Sequence, residues 1–225
     1  LAVADAAELL PTFGIRAVDA LISGGDKAIR QPDEAAEDNY DAGQKAIADH
    51  PITSDDLVIG LTANGKTPYV RGGLAEAKDL GARTVLICCN PVADFLGDVL
   101  IVCDTGPEIV RGSTRLKAGT AEKLILNMIS TVSMIKLGRV ISNEMVFMQS
   151  KNHKCSLRAI KMLVRVLGVT SGQAEKLLQE ANGLPSVAII MHLDGLDLNV
   201  ALKKVHSDPL AVRRSVLRQK SLKES

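Results

Sequence analysis

The feature that most constrains this chain is a rhythm. From Leu1 to about Asp104, short runs of aliphatic and β-branched residues alternate with stretches of helical period. A helix between two strands carries the chain back across the sheet, so successive strands point the same way and form a parallel sheet covered by helices. The strand candidates are residues 17–22, 56–61, 84–88 and 99–103. Helices are expected over 32–49 and 67–80, the second stopped by Gly81. This is the pattern of a doubly wound α/β fold.

Further on the period changes. Over residues 115–137 the apolar positions Ala121, Leu124, Ile125, Met128, Ile129, Val132 and Ile135 recur every three or four residues, which predicts one long helix with a broad buried face, ending at Gly138. The remainder is helical in pattern, with Gly168, Gly183 and Gly195 separating segments at 157–167, 171–181, 186–192 and 198–205. It reads as a small helical subdomain. The basic tail AVRRSVLRQKSLKES reads as a solvated helix end that frays.

Composition removes several function classes. Aromatic residues are 2% of the chain and Trp is absent, so the core is aliphatic and recognition of single-stranded nucleic acid by base stacking is unsupported. The 27 basic and 26 acidic residues leave a net charge of +1, too little to draw the chain to DNA or an anionic membrane. Cys88, Cys89, Cys103 and Cys155 make no Cys-x-x-Cys pair and have no His at zinc-ligand spacing, so they read as reduced thiols of a cytosolic protein. No apolar run approaches the roughly 18 residues of a membrane span, and no basic region with a hydrophobic stretch opens the chain, which predicts a soluble protein that is not exported. The chain begins inside the apolar run LAVADAAELL, which reads as the interior of a folded unit with a natural portion preceding it.

Two segments carry chemistry by position. The run GLTANGKTPYV, residues 60–70, follows a strand candidate and opens a helix candidate. Pro68 suits a first helical turn and Thr67 can cap it. The amides of residues 64–67 would then face an anion beside the positive end of the helix, with Thr62, Asn64 and Thr67 as further donors and Lys66 as counter-charge. The same residues also suit an ordinary capped turn. They match neither the dinucleotide fingerprint nor the P-loop. A second cluster, GPEIVRGSTRLKAGTAEK at 106–123, places Ser113 and Thr114 before the long helix, with Arg115 and Lys117 in its first turn, where cations oppose the helix dipole. Two such helix starts in one domain favour a phosphorylated ligand.

The acidic candidates are Asp5, Glu8, Asp33, Glu34, Glu37 and Asp38. Glu8 lies among apolar residues, where partial burial would raise its pKa and suit it to be a general acid. The four His residues are scattered, and no Ser or Cys stands in a nucleophile motif, so a triad hydrolase is unsupported.

The segments DAAELLPTFG, EAAED, LTANGKTPYV, CNP and, above all, GSTRLKAGTAEKLILNMISTVSMIKLGRV at 112–140 resemble the N-acetylmuramic acid 6-phosphate etherases. The resemblance covers nearly all of the chain. It implies a sugar isomerase (SIS) fold, a doubly wound parallel sheet flanked by helices with a small C-terminal helical subdomain. The division it suggests is a sugar-phosphate-binding domain over 1–150 and the helical part over 151–225. It also implies a cytoplasmic homodimer with no metal or organic cofactor, binding neither nucleic acid nor membrane.

The implied activity is that of a carbon–oxygen lyase of cell-wall sugar recycling. It cleaves the D-lactyl ether of a phosphorylated amino sugar, N-acetylmuramic acid 6-phosphate, with water. By resemblance Glu8 stands at the proton-donor position and Glu37 at the second catalytic position, as base. Thr62, Asn64, Gly65, Lys66, Thr67, Ser113, Thr114 and Lys117 stand at or near the sugar phosphate. The family's first phosphate loop would precede Leu1. Asn64 stands where relatives often have Ser, and Phe147 and Cys155 replace the more usual Asp and Leu. A sugar-phosphate sensor similar to the glucokinase regulatory protein, and an aldose–ketose isomerase on the same fold, are the rival readings. The sensor needs no acid and base, and the match over 112–140 points away from the isomerase.

Overall fold

The computed structural model of the protein describes residues 1–95, 97–150 and 152–224. Lys151 and Ser225, at the two ends of the expected helical part, lie outside them. The chain divides into two compact units, one of residues 1–5 with 19–128, the other of residues 6–18 with the chain from 129 onward. Helices α1 (Ala2–Phe13) and α4 (Lys117–Lys136) contribute residues to both.

The first unit is built on three parallel strands, β1 (Leu57–Leu61), β2 (Arg83–Cys88) and β3 (Val99–Val102), in the order β1-β2-β3. Leu57 pairs with Arg83 and Val85 with Val99, which sets the register. The central strand β2 reads RTVLIC and is buried from Thr84 onward, as expected of a parallel strand covered on both sides. The edge strand β3 leaves Val99, Leu100 and Val102 exposed. The helices α2 (Tyr40–Ala48) and α3 (Pro68–Asp79) pack closely because glycines face each backbone. A Cβ on Gly43 would stand 1.9 Å from the Tyr69 carbonyl oxygen, and one on Gly72 2.1 Å from that of Tyr40. Helix α3 ends as expected, with Gly81 donating to the Lys78 carbonyl and Ala82 to that of Ala77.

The second unit has an aliphatic core formed by α5 (His153–Leu167), α6 (Ser171–Glu180), α7 (Pro185–Asp194), α8 (Leu198–Ser207), α9 (Leu210–Glu224) and the segment around Val146–Met148. Side-chain caps fix the helix starts: Asn152 accepts from the Cys155 amide, Asp197 from that of Val200, and Thr170 with Gln173 forms a capping box. Buried Asp194 ties α7 to its neighbours, accepting from Lys204 Nζ at 2.8 Å, Ser215 Oγ at 2.9 Å and Arg218 Nη2 at 2.7 Å. Burial would raise its pKa, but these bonds and charges outweigh it and hold the carboxyl below the usual range. No single described helix is long and apolar enough to cross a membrane. Helices α7 and α8 reach that length only together, bent by 113°.

The α/β class with a parallel sheet and a helical C-terminal part agrees with the sequence pattern, while four local expectations are corrected. Residues 17–22 form no strand; mostly exposed, they find no neighbour in the sheet. The helix expected over 32–49 is a 3-10 helix, Glu34–Asp38, followed by α2, because Asn39 takes an extended conformation and caps α2 by accepting from the Ala42 amide. The face of α4 expected to be buried is largely open: Leu124 is 50% exposed, Met128 58%, Val132 51% and Ile135 41%. Ala121, Ile125 and Ile129 of the same expected face are half-buried. The basic tail is ordered as α9, because Ala211, Val212 and Val216 recur on one face and enter the core.

Candidate active site at the carboxyl edge of the sheet

In a parallel sheet all strands end on the same edge, so the loops after β1, β2 and β3 gather there, where ligands of open α/β sheets bind. Backbone bonds join these loops. The Thr62 amide donates to Ile87 O at 3.1 Å and the Cys89 amide to Ala63 O at 3.0 Å, while the Asn90 side-chain amide reaches Ala63 O at 2.8 Å. Arg71 of α3 donates through Nε to Gly65 O at 3.0 Å and through Nη1 and Nη2 to Asp94. The hydrogen bond from Arg71, reinforced by its charge, holds the Asp94 carboxyl below the usual range. Gly65 has φ of 74°, and a Cβ there would stand 2.3 Å from Val92 Cγ2, so only glycine suits this turn.

The loop after β1 is a cluster of donors. The Thr62 and Thr67 hydroxyls lie 2.6 Å apart, and both are within bonding reach of Asn64 Oδ1, at 3.0 and 3.3 Å. The Lys66 amide donates to the same oxygen at 2.7 Å. Thr67 therefore does not cap α3 with its side chain, as expected from sequence; its hydroxyl is drawn into this cluster. Of the four amides expected to face an anion, that of Gly65 bonds to Thr62 O and that of Lys66 to Asn64. Those of Asn64 and Thr67 have no acceptor among the described residues. Thr62 and Gly65 are buried, Thr67 is half-buried, and Asn64 and Lys66 are exposed.

The second helix start differs from expectation. Helix α4 begins at Lys117, and its first amides are already engaged: Lys117 N and Ala118 N donate to the Glu108 carboxylate at 3.1 and 3.0 Å. These backbone bonds keep the Glu108 carboxyl below its ordinary range. The Lys117 ammonium turns back to Thr105 O at 2.7 Å. Ser113 is half-buried and Thr114 exposed in the turn before α4. Sequence reasoning noted the cations of this segment and missed the acid that caps the helix. The signal was Glu108 itself, nine residues before Lys117, and only the fold of the loop reveals it.

The acids are placed as follows. Glu37 is exposed on the 3-10 helix Glu34–Asp38, which Asp33 caps and which packs against α3. Glu8 is exposed on α1 and belongs to the second unit. Its expected partial burial is absent, because Leu9 takes the buried face of α1 and the alanines around Glu8 are small enough to sit in solvent. Glu122 of α4 is buried, 7% exposed, and its Oε1 has no hydrogen-bond partner among the described residues. Burial raises its pKa, and its charge bears on Cys88 and Cys89 at the end of β2. Sequence reasoning passed over Glu122; the small residues Ala118, Gly119 and Ala121 before it were the available signal. They let α4 approach β2 closely enough for the Cys89 thiol to reach Ala118 O at 3.7 Å.

All four thiols are free, and burial pushes that of Cys89 up to about 11, which keeps it protonated and poorly nucleophilic. Among the described residues no group of His, Cys, Asp and Glu has the arrangement of a metal site. What the carboxyl edge offers is a set of hydroxyls and amides suited to an anion.

Comparison with known proteins gives this geometry a context. Residues 5–78 match the family model of the glucokinase regulatory protein N-terminal SIS domain. The chain is 44% identical over 211 residues to an N-acetylmuramic acid 6-phosphate etherase of Petrotoga mobilis, covering 91% of this chain and 71% of that protein. It is 46% identical over 209 residues to one of an Enterobacter species, covering 91% and 70%. An etherase 2 of Bacillus licheniformis is 47% identical over 208 residues, covering 89% and 69%. At such identity, over most of both chains, this protein belongs to the N-acetylmuramic acid 6-phosphate etherase family.

Proposed function

We propose that this chain cleaves the D-lactyl ether of N-acetylmuramic acid 6-phosphate with water, yielding N-acetylglucosamine 6-phosphate and D-lactate. The observation that carries this reading is the set of etherase relatives spanning about nine-tenths of the chain. The site's chemistry supports it. Asn64 Oδ1 lies where donors from Thr62, Lys66 and Thr67 converge, and a phosphoryl oxygen would replace it when the Asn64 side chain swings aside. Ser113, Thr114 and Lys117 add donors and charge to the same anchored sugar phosphate.

The reaction needs an acid and a base. In the open-chain sugar the C1 aldehyde acidifies the C2 proton. Glu37 removes it while Glu8 protonates the departing ether oxygen at C3, so lactate leaves and a C2–C3 double bond forms. Water then adds its oxygen to C3 and a proton returns to C2, which balances the overall hydrolysis.

In the division that suits this reading, residues 1–150 carry the sugar-phosphate site and 151–225 support it. The protein works in the cytoplasm as a homodimer without a cofactor. Dimer formation would cover the open apolar stripe Leu124, Met128, Val132 and Ile135. The match to the regulatory protein's SIS domain keeps a second reading in view, a sugar-phosphate sensor. Incubation with N-acetylmuramic acid 6-phosphate and enzymatic measurement of D-lactate separates the two. Stoichiometric lactate supports the etherase, whereas tight binding with unchanged substrate would support the sensor.

A further inference from the structure

The C-terminal end of α1 is gripped by a half-buried cation. Arg139 Nη1 lies 3.3 Å from Phe13 O and 3.5 Å from Gly14 O, carbonyls at the end of the helix that carries Glu8. The guanidinium carbon sits 4.4 Å from the centroid of the Phe147 ring, and that ring is buried in the core of the same unit. Among the described residues no carboxylate pairs with this guanidinium, and its buried Nε has no hydrogen-bond partner. Phe147 grips the turn from the other side: Gly14 has φ of 66°, and a Cβ on it would stand 2.7 Å from Phe147 O. Arg139 is itself set by the end of α4, where Gly138 donates to Ile135 O and Arg139 to Met134 O.

These contacts have a clear physical logic. The last carbonyls of a helix lack intrahelical donors and carry partial negative charge, so a cation there satisfies them. A planar guanidinium can stack on a ring while its edge donates to two carbonyls, which an ammonium cannot match. Helix α1 needs such a hold. Leu9 is its one buried residue among those described, and Pro11 inside it removes a backbone donor. Glu8 lies five residues before Phe13, about 7.5 Å along the axis at a rise of about 1.5 Å per residue.

We infer that Arg139 and Phe147 form a clamp that fixes the end of α1 and so sets the direction in which Glu8 projects. Both are positioning residues. The inference rests on the reading of Glu8 as proton donor, but the clamp itself can be tested without it.

The test uses the full chain as Arg139→Met, which keeps an apolar stem over Phe147 and removes the donors and charge, and as Arg139→Lys. Steady-state lactate release is measured together with hydrogen exchange of the amides at Leu10 and Thr12 to Gly14. The clamp predicts kcat down about tenfold or more in Arg139→Met with KM within about twofold, partial recovery in Arg139→Lys, and exchange accelerated in that turn but not in α5 or α7. Wild-type kcat in Arg139→Met, or a uniform rise in exchange across the unit with kcat and KM both impaired, would overturn it. If the wild-type chain releases no lactate, the proposed reaction fails, and exchange alone decides the clamp: unchanged protection at the end of α1 refutes it, and local loss supports it.

Discussion

A proton donor must hold its proton until the leaving group takes it, and burial is the usual means. Glu8 stands in solvent; in the proposed reaction the lactyl group of the bound sugar would cover it. This gives a sharp expectation for Glu8→Gln. The amide keeps the shape but has no acidic proton to give, so kcat should fall on the order of 10²- to 10⁴-fold while substrate binding changes little. Steady-state kinetics with a binding isotherm checks it; near-normal kcat would remove Glu8 from its role. At this scale the sequence was informative about residue types and poor about burial. LAVADAAELL looks as apolar around Glu8 as GTAEKLIL does around Glu122, yet only Glu122 is enclosed. What decides is which face of each helix meets neighbouring chain, a tertiary fact that local hydropathy does not encode.

Elements were more legible than their ends. β1, β2 and β3 fall within a residue of the runs marked by β-branched and aliphatic residues, which favour extended backbone in a sheet. The stretch at 17–22 has similar residues and no strand partner, and partners cannot be read from one segment alone. The break at Asn39 was hidden in a continuous helical pattern, although asparagine favours an N-cap over a helix interior and was itself the available signal. The start of α4 gives a test at this level. Glu108 is held as a carboxylate by the Lys117 and Ala118 amides, so its folded pKa lies below the unfolded value of about 4.3. Such a group contributes stability above that value and loses it as pH falls through the folded pKa. Glu108→Gln should therefore lower Tm at pH 7, with the difference closing below about pH 4. A pH-independent difference in thermal melts would mean that the carboxylate does not cap the helix.

For the whole molecule, the open stripe on α4 is the clearest unfinished surface. Leu124, Met128, Val132 and Ile135 follow one another at helical spacing over about three turns, and a second copy of the chain would remove them from water. A charge there should prevent this: Val132→Glu is expected to sediment as a monomer where the parent chain sediments as a dimer, with similar circular dichroism. A monomeric parent, or a dimeric variant, would place the contact elsewhere. The proposed chemistry, two distant acids acting on a sugar held by its phosphate, is tested most directly by which bond to the ether oxygen breaks. Turnover of N-acetylmuramic acid 6-phosphate in ¹⁸O-labelled water, followed by mass analysis of both products, should place the heavy oxygen at C3 of the sugar and leave the hydroxyl of the released lactate unlabelled. Heavy oxygen in that lactate hydroxyl, with none in the sugar, would mean cleavage on the lactyl side and would contradict the mechanism.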